Sequence, residues 1–141
     1  MKKINDQLYV AGQISVDDLN SFVEAGIKTI INNRPDNEEP GQIAAEQVRS
    51  AAEDLGIAYH YLPMANGQPL PDTLVSDFKS TLESSEGPVL AHCRSGMRSS
   101  FLWALGQIPT GSITVDQAID AAQAVGIPLG NARQALESVR P

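Results

Sequence analysis

Apolar and polar positions follow two alternating periods over the first 108 residues. Leu8-Tyr9-Val10-Ala11-Gly12 is a short apolar run ending at glycine, which predicts a first strand. Ser15 then reads as an N-cap, with Asp18 three residues on as an approximate capping box. Val16, Leu19, Phe22 and Val23 recur at helical spacing until Gly26. Ile27 to Asn32 carries Ile27, Ile30 and Ile31 and predicts a second strand. A polar, breaker-rich loop from Asn33 to Gly41 leads to a helix over 43–55, with Ile43, Val48, Ala51, Ala52 and Leu55 in register. Strand three is expected over 57–64 and a loop over 65–72. Leu74, Phe78 and Leu82 follow at four-residue steps, marking a helix. Gly87-Pro88 breaks the chain before Val89-Leu90-Ala91-His92, the fourth strand. The segment from about Ser99 to Ile108 is apolar on most sides, as a buried helix is.

Four strands alternating with helices predict an α/β domain. Its central sheet is mostly parallel, of about four strands, with helices on both faces. The tail, 109–141, is helical. Thr114-Val115-Asp116-Gln117 is a capping box, and Val115, Ala118, Ile119, Ala122 and Val125 form a stripe. After Gly126-Ile127-Pro128, Leu129, Ala132, Leu136 and Val139 mark a last helix. Both tail helices are expected to pack back onto the sheet. No linker separates a second domain, so 1–141 reads as one unit, with a core over 1–108 and the tail over 109–141.

Composition narrows the function. The 141 residues are 42% hydrophobic and 19% charged, enough to fill a core without disulfide staples. One cysteine excludes an internal disulfide and an all-cysteine metal cage, and two histidines give no metal-ligand spacing. No cofactor is implied. A net charge of −7 argues against nucleic acid, because nothing would supply counterion release. The tail helices loosely resemble a helix-turn-helix, but Arg133 and Arg140 are the last helix's only cations. No signal peptide or membrane span is read, and the expected setting is cytoplasmic.

The chemistry gathers at His92-Cys93-Arg94-Ser95-Gly96-Met97-Arg98-Ser99. An apolar strand delivers the one cysteine to the carboxyl end of the sheet, where open α/β sheets bind ligands. The next residues turn into a helix N-terminus, whose unpaired N–H groups favour an anion or a thiolate. Gly96 permits a backbone conformation that a side chain would hinder. Arg94 and Arg98 add positive charge, and Arg98 can grip an oxyanion with two parallel hydrogen bonds. All of this lowers a thiol pKa, so Cys93 reads as a reactive thiolate rather than a buried filler. His92 is either a hydrogen-bonded core residue or a support that tunes Cys93 from behind. Ser99 either donates to the thiolate or caps the helix. Arg34 either contacts the anion or pairs with Asp36 or Glu38 to order its loop. Glu38-Glu39 reads as a solvated loop tip, His60 as a packed or partly exposed strand residue, and Trp103 as core.

These residues resemble the cysteine-dependent protein phosphatases, and Leu8–Gly12 with Ala25–Asn32 resembles the opening of a dual-specificity phosphatase. Asn32-Asn33-Arg34-Pro35-Asp36-Asn37-Glu38 together with His92–Ser99 resembles more narrowly the phosphatase-like domain of beta-lactamase-hydrolase-like proteins, a bacterial family also labelled sulfur transferases. The resemblance covers about residues 3 to 108. Two departures from the phosphatase pattern stand out. Those enzymes place five residues between cysteine and arginine, whereas Arg94, Ser95, Gly96 and Met97 make four. Four is the spacing of rhodanese-type sulfurtransferases. The loop after the third strand, where those phosphatases carry an aspartic general acid, reads Met64-Ala65-Asn66-Gly67-Gln68. No carboxylate follows until Asp72, which reads more simply as the N-cap of the next helix. Asp36 could substitute if its loop folds over the site.

Three functions are therefore weighed. Sulfur transfer through a Cys93 persulfide fits both departures and is the favoured expectation. The alternative is phosphomonoester hydrolysis through a phosphocysteine, with Arg98 on the oxyanion and Asp36 or Asp72 as acid. The third is a non-catalytic anion-binding module. The partner expected throughout is a small anionic substrate, a sulfane-sulfur donor or a phosphoester. Sulfur transfer would add a persulfide-processing partner enzyme.

Overall fold

The structure, a computed structural model, describes residues 1–141. Its five strands are β1 (Lys2–Lys3), β2 (Leu8–Ala11), β3 (Thr29–Asn32), β4 (Ala58–Tyr61) and β5 (Val89–His92). They form one sheet in the order β1-β2-β5-β3-β4. β2, β5, β3 and β4 are parallel, and β1 runs antiparallel to β2. The sequence pattern predicts four of these strands and misses β1. That strand is two exposed lysines on the sheet edge, with no apolar residue to signal it.

Six α-helices connect or flank the strands: α1 (Leu19–Glu24), α2 (Ala45–Asp54), α3 (Leu74–Ser84), α4 (Met97–Gln107), α5 (Val115–Gln123) and α6 (Arg133–Glu137). Two expected helices are interrupted. Val16–Asp18 is a 3-10 turn leading into α1, and Leu129–Ala132 is another leading into α6. The Ser15 N–H bonds the Asp18 carboxylate at 2.8 Å. At Thr114 the capping box closes in both directions, at 2.9 and 3.1 Å.

Alternation along the strands divides the core in two. Val10, Ile31, Val89 and Ala91 pack with α3, α4 and the tail residues Val115, Ala118, Ile127, Leu129 and Leu136. Ile30, Tyr59 and Leu90 face the other way, against α1 and α2. The tail thus packs back onto the sheet, as its apolar stripe predicts. β5 lies at the centre, hydrogen-bonded to β2 on one side and β3 on the other. The loops after β3, β4 and β5 therefore converge at one carboxyl edge.

Candidate active site

All four residues of β5 are buried, so the strand carries Cys93 out of the middle of the core. The Cys93 N–H continues the ladder onto the Ala11 carbonyl at 3.3 Å. Cys93 itself is 1% exposed. Gly96 caps α4 with φ +93°, a left-handed conformation that a side chain would strain. This bend turns the Gly96 N–H back onto the Cys93 sulphur at 3.1 Å. Burial pushes the Cys93 thiol up, but the backbone N–H groups of Ser99, Ser95, Gly96 and Arg98 push it down further, and its pKa ends below the ordinary value. Gly12 closes the loop from the β2 side: a Cβ there would meet the Arg94 carbonyl oxygen at 2.7 Å.

Arg98 is the second element. Its Nη1 donates to Glu38 Oε2 at 2.7 Å and to the Met64 carbonyl at 2.8 Å. Its Nη2 donates to Glu38 Oε1 at 2.8 Å. Glu38 is shared, because Arg34 Nε also donates to Oε1, at 2.9 Å. Arg34, 1% exposed, lies beneath the loop after β3. Its Nη1 donates to Gln13 Oε1 at 3.0 Å. Its Nη2 approaches Glu39 within 3.0 Å, out of line for a hydrogen bond. The hydrogen bond from Arg98 holds the Glu38 carboxyl below the usual carboxylate range, against burial and with help from Arg34. Glu38 in turn raises the Arg98 pKa, and the nearby Cys93 sulphur adds to the rise.

Of the Glu38-Glu39 pair, Glu39 is solvated as the sequence predicts, whereas the Glu38 carboxylate is not. The Glu38 side chain is 20% exposed and turned inward, and Glu39 is 49% exposed. The loop is braced internally: Glu38 N–H to Gln42 Oε1 at 3.1 Å, and Gln42 Nε2 to the Pro35 carbonyl at 2.9 Å. Asp36 Oδ1 accepts the Ala45 N–H at 2.8 Å, which commits it to the start of α2. Its own N–H donates to the Tyr61 hydroxyl at 2.9 Å. Asp72 is exposed, and Thr73 rather than Asp72 occupies the N-cap of α3, without a side-chain bond. No carboxylic acid is set beside Cys93.

Ser99 donates its hydroxyl to Asn33 Oδ1 at 2.8 Å rather than to the sulphur, while its backbone N–H faces Cys93. Arg94 and Ser95 are exposed, and Arg94 makes no ion pair. Met97 is half-buried and borders a cavity of about 190 Å³ with Met64, Asn66, Arg98, Phe101 and Ala132. His92 is fully buried and neither ring nitrogen is hydrogen-bonded. Desolvation pushes its pKa down to about 4. A contact with the Cys93 backbone, short of hydrogen-bond geometry, offsets part of that. The pairing of Arg34 with Glu38 is one of the two sequence expectations for Arg34 and is the one the structure shows. Sequence reasoning missed Glu38 as the partner of Arg98, Asn33 as the tie beneath the loop, and Gln13 beside Arg34. No group of three or more His, Cys, Asp or Glu could hold a metal ion. No helix is long and apolar enough to cross a membrane.

Chemically, the site is a cysteine sulphur ringed by N–H donors, with a fixed guanidinium beside it. Solved structures of known proteins share the fold that carries it. The PP-IP phosphatase SIW14 of S. cerevisiae, in its core catalytic domain with citrate, matches at TM-score 0.69 and 18% identity, covering 96% of this chain and 82% of that one. The fold is that of the protein tyrosine and dual-specificity phosphatases. A candidate phosphatase of Neisseria meningitidis is 36% identical, with TM-score 0.88 over 99% of this chain and 97% of that one. A beta-lactamase hydrolase-like protein of Xylella fastidiosa is 34% identical over 142 aligned residues, 97% of this chain. The chain spans about a third of the length of the curated relatives it matches. The family model for the beta-lactamase hydrolase-like protein, phosphatase-like domain, matches residues 1–110, and the chain belongs to that family.

Proposed function

We propose that the chain is a cysteine-dependent phosphomonoester hydrolase. The observation that carries this reading is the set of N–H groups from Ser95, Gly96, Arg98 and Ser99 turned toward the Cys93 sulphur, with the Arg98 guanidinium beside them. Such donors favour a thiolate in the free state and the oxygens of a phosphoryl group in the transition state. The Cys93 thiolate attacks phosphorus, the P–O bond to the leaving group breaks, and a phosphocysteine forms. Water then attacks phosphorus, the P–S bond breaks, and inorganic phosphate leaves with the thiolate restored. Arg98 holds the non-bridging oxygens through both steps. Arg94, exposed at the loop, draws the anion in. With Asp36 bonded to the first N–H of α2 and Glu38 ionised between two arginines, no placed acid protonates the leaving oxygen. Esters with good leaving groups are the expected substrates. A reducing, cytoplasmic setting keeps the thiol available. The family and the fold support this reading over sulfur transfer.

Sulfur transfer stays as a second reading on one observation, the four residues between Cys93 and Arg98. Turnover of p-nitrophenyl phosphate, beside mass spectrometry after thiosulfate, separates the two. Hydrolysis is expected in the native chain and absent in Cys93→Ser. A one-sulfur gain at Cys93 without phosphate release would reverse the order.

A further inference from the structure

We propose that the cavity between the loops after β2 and β3 is a second ligand site, in which the buried Arg34 guanidinium receives the carboxylate of a small organic acid in place of Glu39.

The cavity measures about 480 Å³, within the size range of small-molecule sites. Gln13, Ile14 and Asp18 border it from the β2 side, and Pro40 and Ile43 from the β3 side. Arg34 and Glu39 line it too, and no residue of the loop from Cys93 to Ser99 does.

Arg34 has donors to spare. It is 1% exposed, and its guanidinium carries five N–H groups. Nε–H is taken by Glu38 and one Nη1–H by Gln13. Nη2 is covered and bonds nothing. A buried donor left unmet is destabilising and rare, so Nη2 marks an interaction not yet made. The charge is also incompletely answered. Arg34 and Arg98 share Glu38, which leaves one positive charge over. Glu39 answers it from 3.0 Å, out of line with the N–H bonds. The Glu39 side chain is half exposed and makes no other ion pair, so it is free to turn outward into water. A free carboxylate lacks the tether that holds Glu39 off-axis and can meet the Nη2 hydrogens in line.

Glu39 also marks the head group the site takes, planar and singly charged. Asp18 lines the same cavity and Glu38 lies against the same guanidinium. A phosphate dianion would be repelled by both, with only one positive charge to answer it. Ile14, Pro40 and Ile43 supply walls for an apolar body behind the carboxylate. Ile14 is 3% exposed and Ile43 packs against the core, so these walls are fixed.

Phenylacetate is the probe. The side-chain amide NMR signals of Gln13 and Gln42 report the cavity, and the backbone amides of Gly96 and Ser99 report the Cys93 loop. Titration of the native chain is expected to move the Gln13 and Gln42 signals to saturation. In Glu39→Gln, which keeps the shape and removes the tethered competitor, the midpoint is expected about five to ten times lower. At the native midpoint Cys93 is expected to stay open to iodoacetamide, whereas inorganic phosphate, the ligand expected at the Cys93 loop, protects it. Thermal unfolding confirms that folded proteins are compared, and Glu39→Ala carries the same comparison if Glu39→Gln does not fold. Unmoved Gln13 and Gln42 signals, or equal midpoints in the native chain and the variant, overturn the site. Movement at Gly96 and Ser99 with protection of Cys93 also overturns it, because the carboxylate then belongs to the Cys93 loop. Inorganic phosphate that moves Gln13 and Gln42 at lower concentration than phenylacetate overturns the assignment to a carboxylate.

Discussion

The Ser99 hydroxyl donates to Asn33 Oδ1 at 2.8 Å, across 66 residues of sequence, and joins the start of α4 to the end of β3. Asn33 uses its other groups as fully. Its Nδ2 donates to the Leu62 carbonyl at 2.8 Å, and its N–H donates to the His92 carbonyl at 2.8 Å. Its own carbonyl accepts the Met64 N–H at 3.0 Å. One buried residue therefore ties together the loops after β3, β4 and β5. Asn33→Ala strands the Ser99 hydroxyl and the Leu62 carbonyl, each worth about 1–3 kcal/mol when left unsatisfied. The expected loss is about 2–4 kcal/mol in urea unfolding, with weaker anion binding at Cys93. A loss under about 0.5 kcal/mol, the range of a neutral surface change, would refute the tie.

The Cys93 thiol is expected to react as a thiolate at neutral pH. Its pKa in the fold lies below the ordinary value, so the rate of alkylation should reach half its maximum below pH ~8.5. A depressed pKa stabilises the fold above the unfolded thiol's pKa, and that contribution is lost as pH falls through the folded value. Arg98→Ala removes the adjacent positive charge and should move the alkylation midpoint upward while abolishing anion protection. A midpoint that stays put in Arg98→Ala would show that the backbone N–H groups alone set the thiolate.

His92 gives a different pH signature. It is buried without a hydrogen-bond partner, and desolvation takes its pKa down to about 4. The unfolded chain then binds a proton that the folded one refuses between pH ~6.5 and ~4. The contribution is complete above pH ~6.5 and is lost on going down through that window. Native stability should fall by about 1–3 kcal/mol more than that of His92→Asn between pH 6.5 and 4.5. Parallel stability curves for the two proteins would mean that solvent or a partner reaches the ring.

The sequence exposes what is local and hides what is not. β2 to β5 are short apolar runs bounded by glycine or proline, and each appears where its run predicts. The Cys93 loop is legible because its strand, bend, glycine and arginine are contiguous. Glu38 is not, because its partner lies 60 residues away and two glutamates in a polar loop look like solvent-facing charge. Asp36 illustrates a second difficulty. A carboxylate in a loop near the site suits both a general acid and a helix start nine residues on, and only the bond to Ala45 distinguishes them. β1 has no signal to read: a two-residue edge strand of lysines is set by pairing with β2 alone.

The tail also supports the site, although the family match ends at residue 110. Ile127 is 1% exposed, and its Cδ1 lies 3.3 Å from where a Cβ on Gly96 would sit. Gly96 supplies the N–H bonded to the Cys93 sulphur, so Ile127 backs the bend that makes the anion ring. Gly12 presses on the other side, against the Arg94 carbonyl. The loop is thus clamped between β2 and the tail. Ile127→Ala leaves a gap behind Gly96 and should cost about 2–4 kcal/mol of stability, as large-to-small core changes do. It should also raise the phosphate concentration needed to protect Cys93, because the bend can then relax backward. Gly12→Ala should weaken protection by the opposite displacement, pushing the Arg94 peptide outward at about 1–3 kcal/mol of overpacking strain. If both variants lose stability while protection of Cys93 by phosphate stays native, the clamp supports the fold and leaves the ring of donors intact by itself.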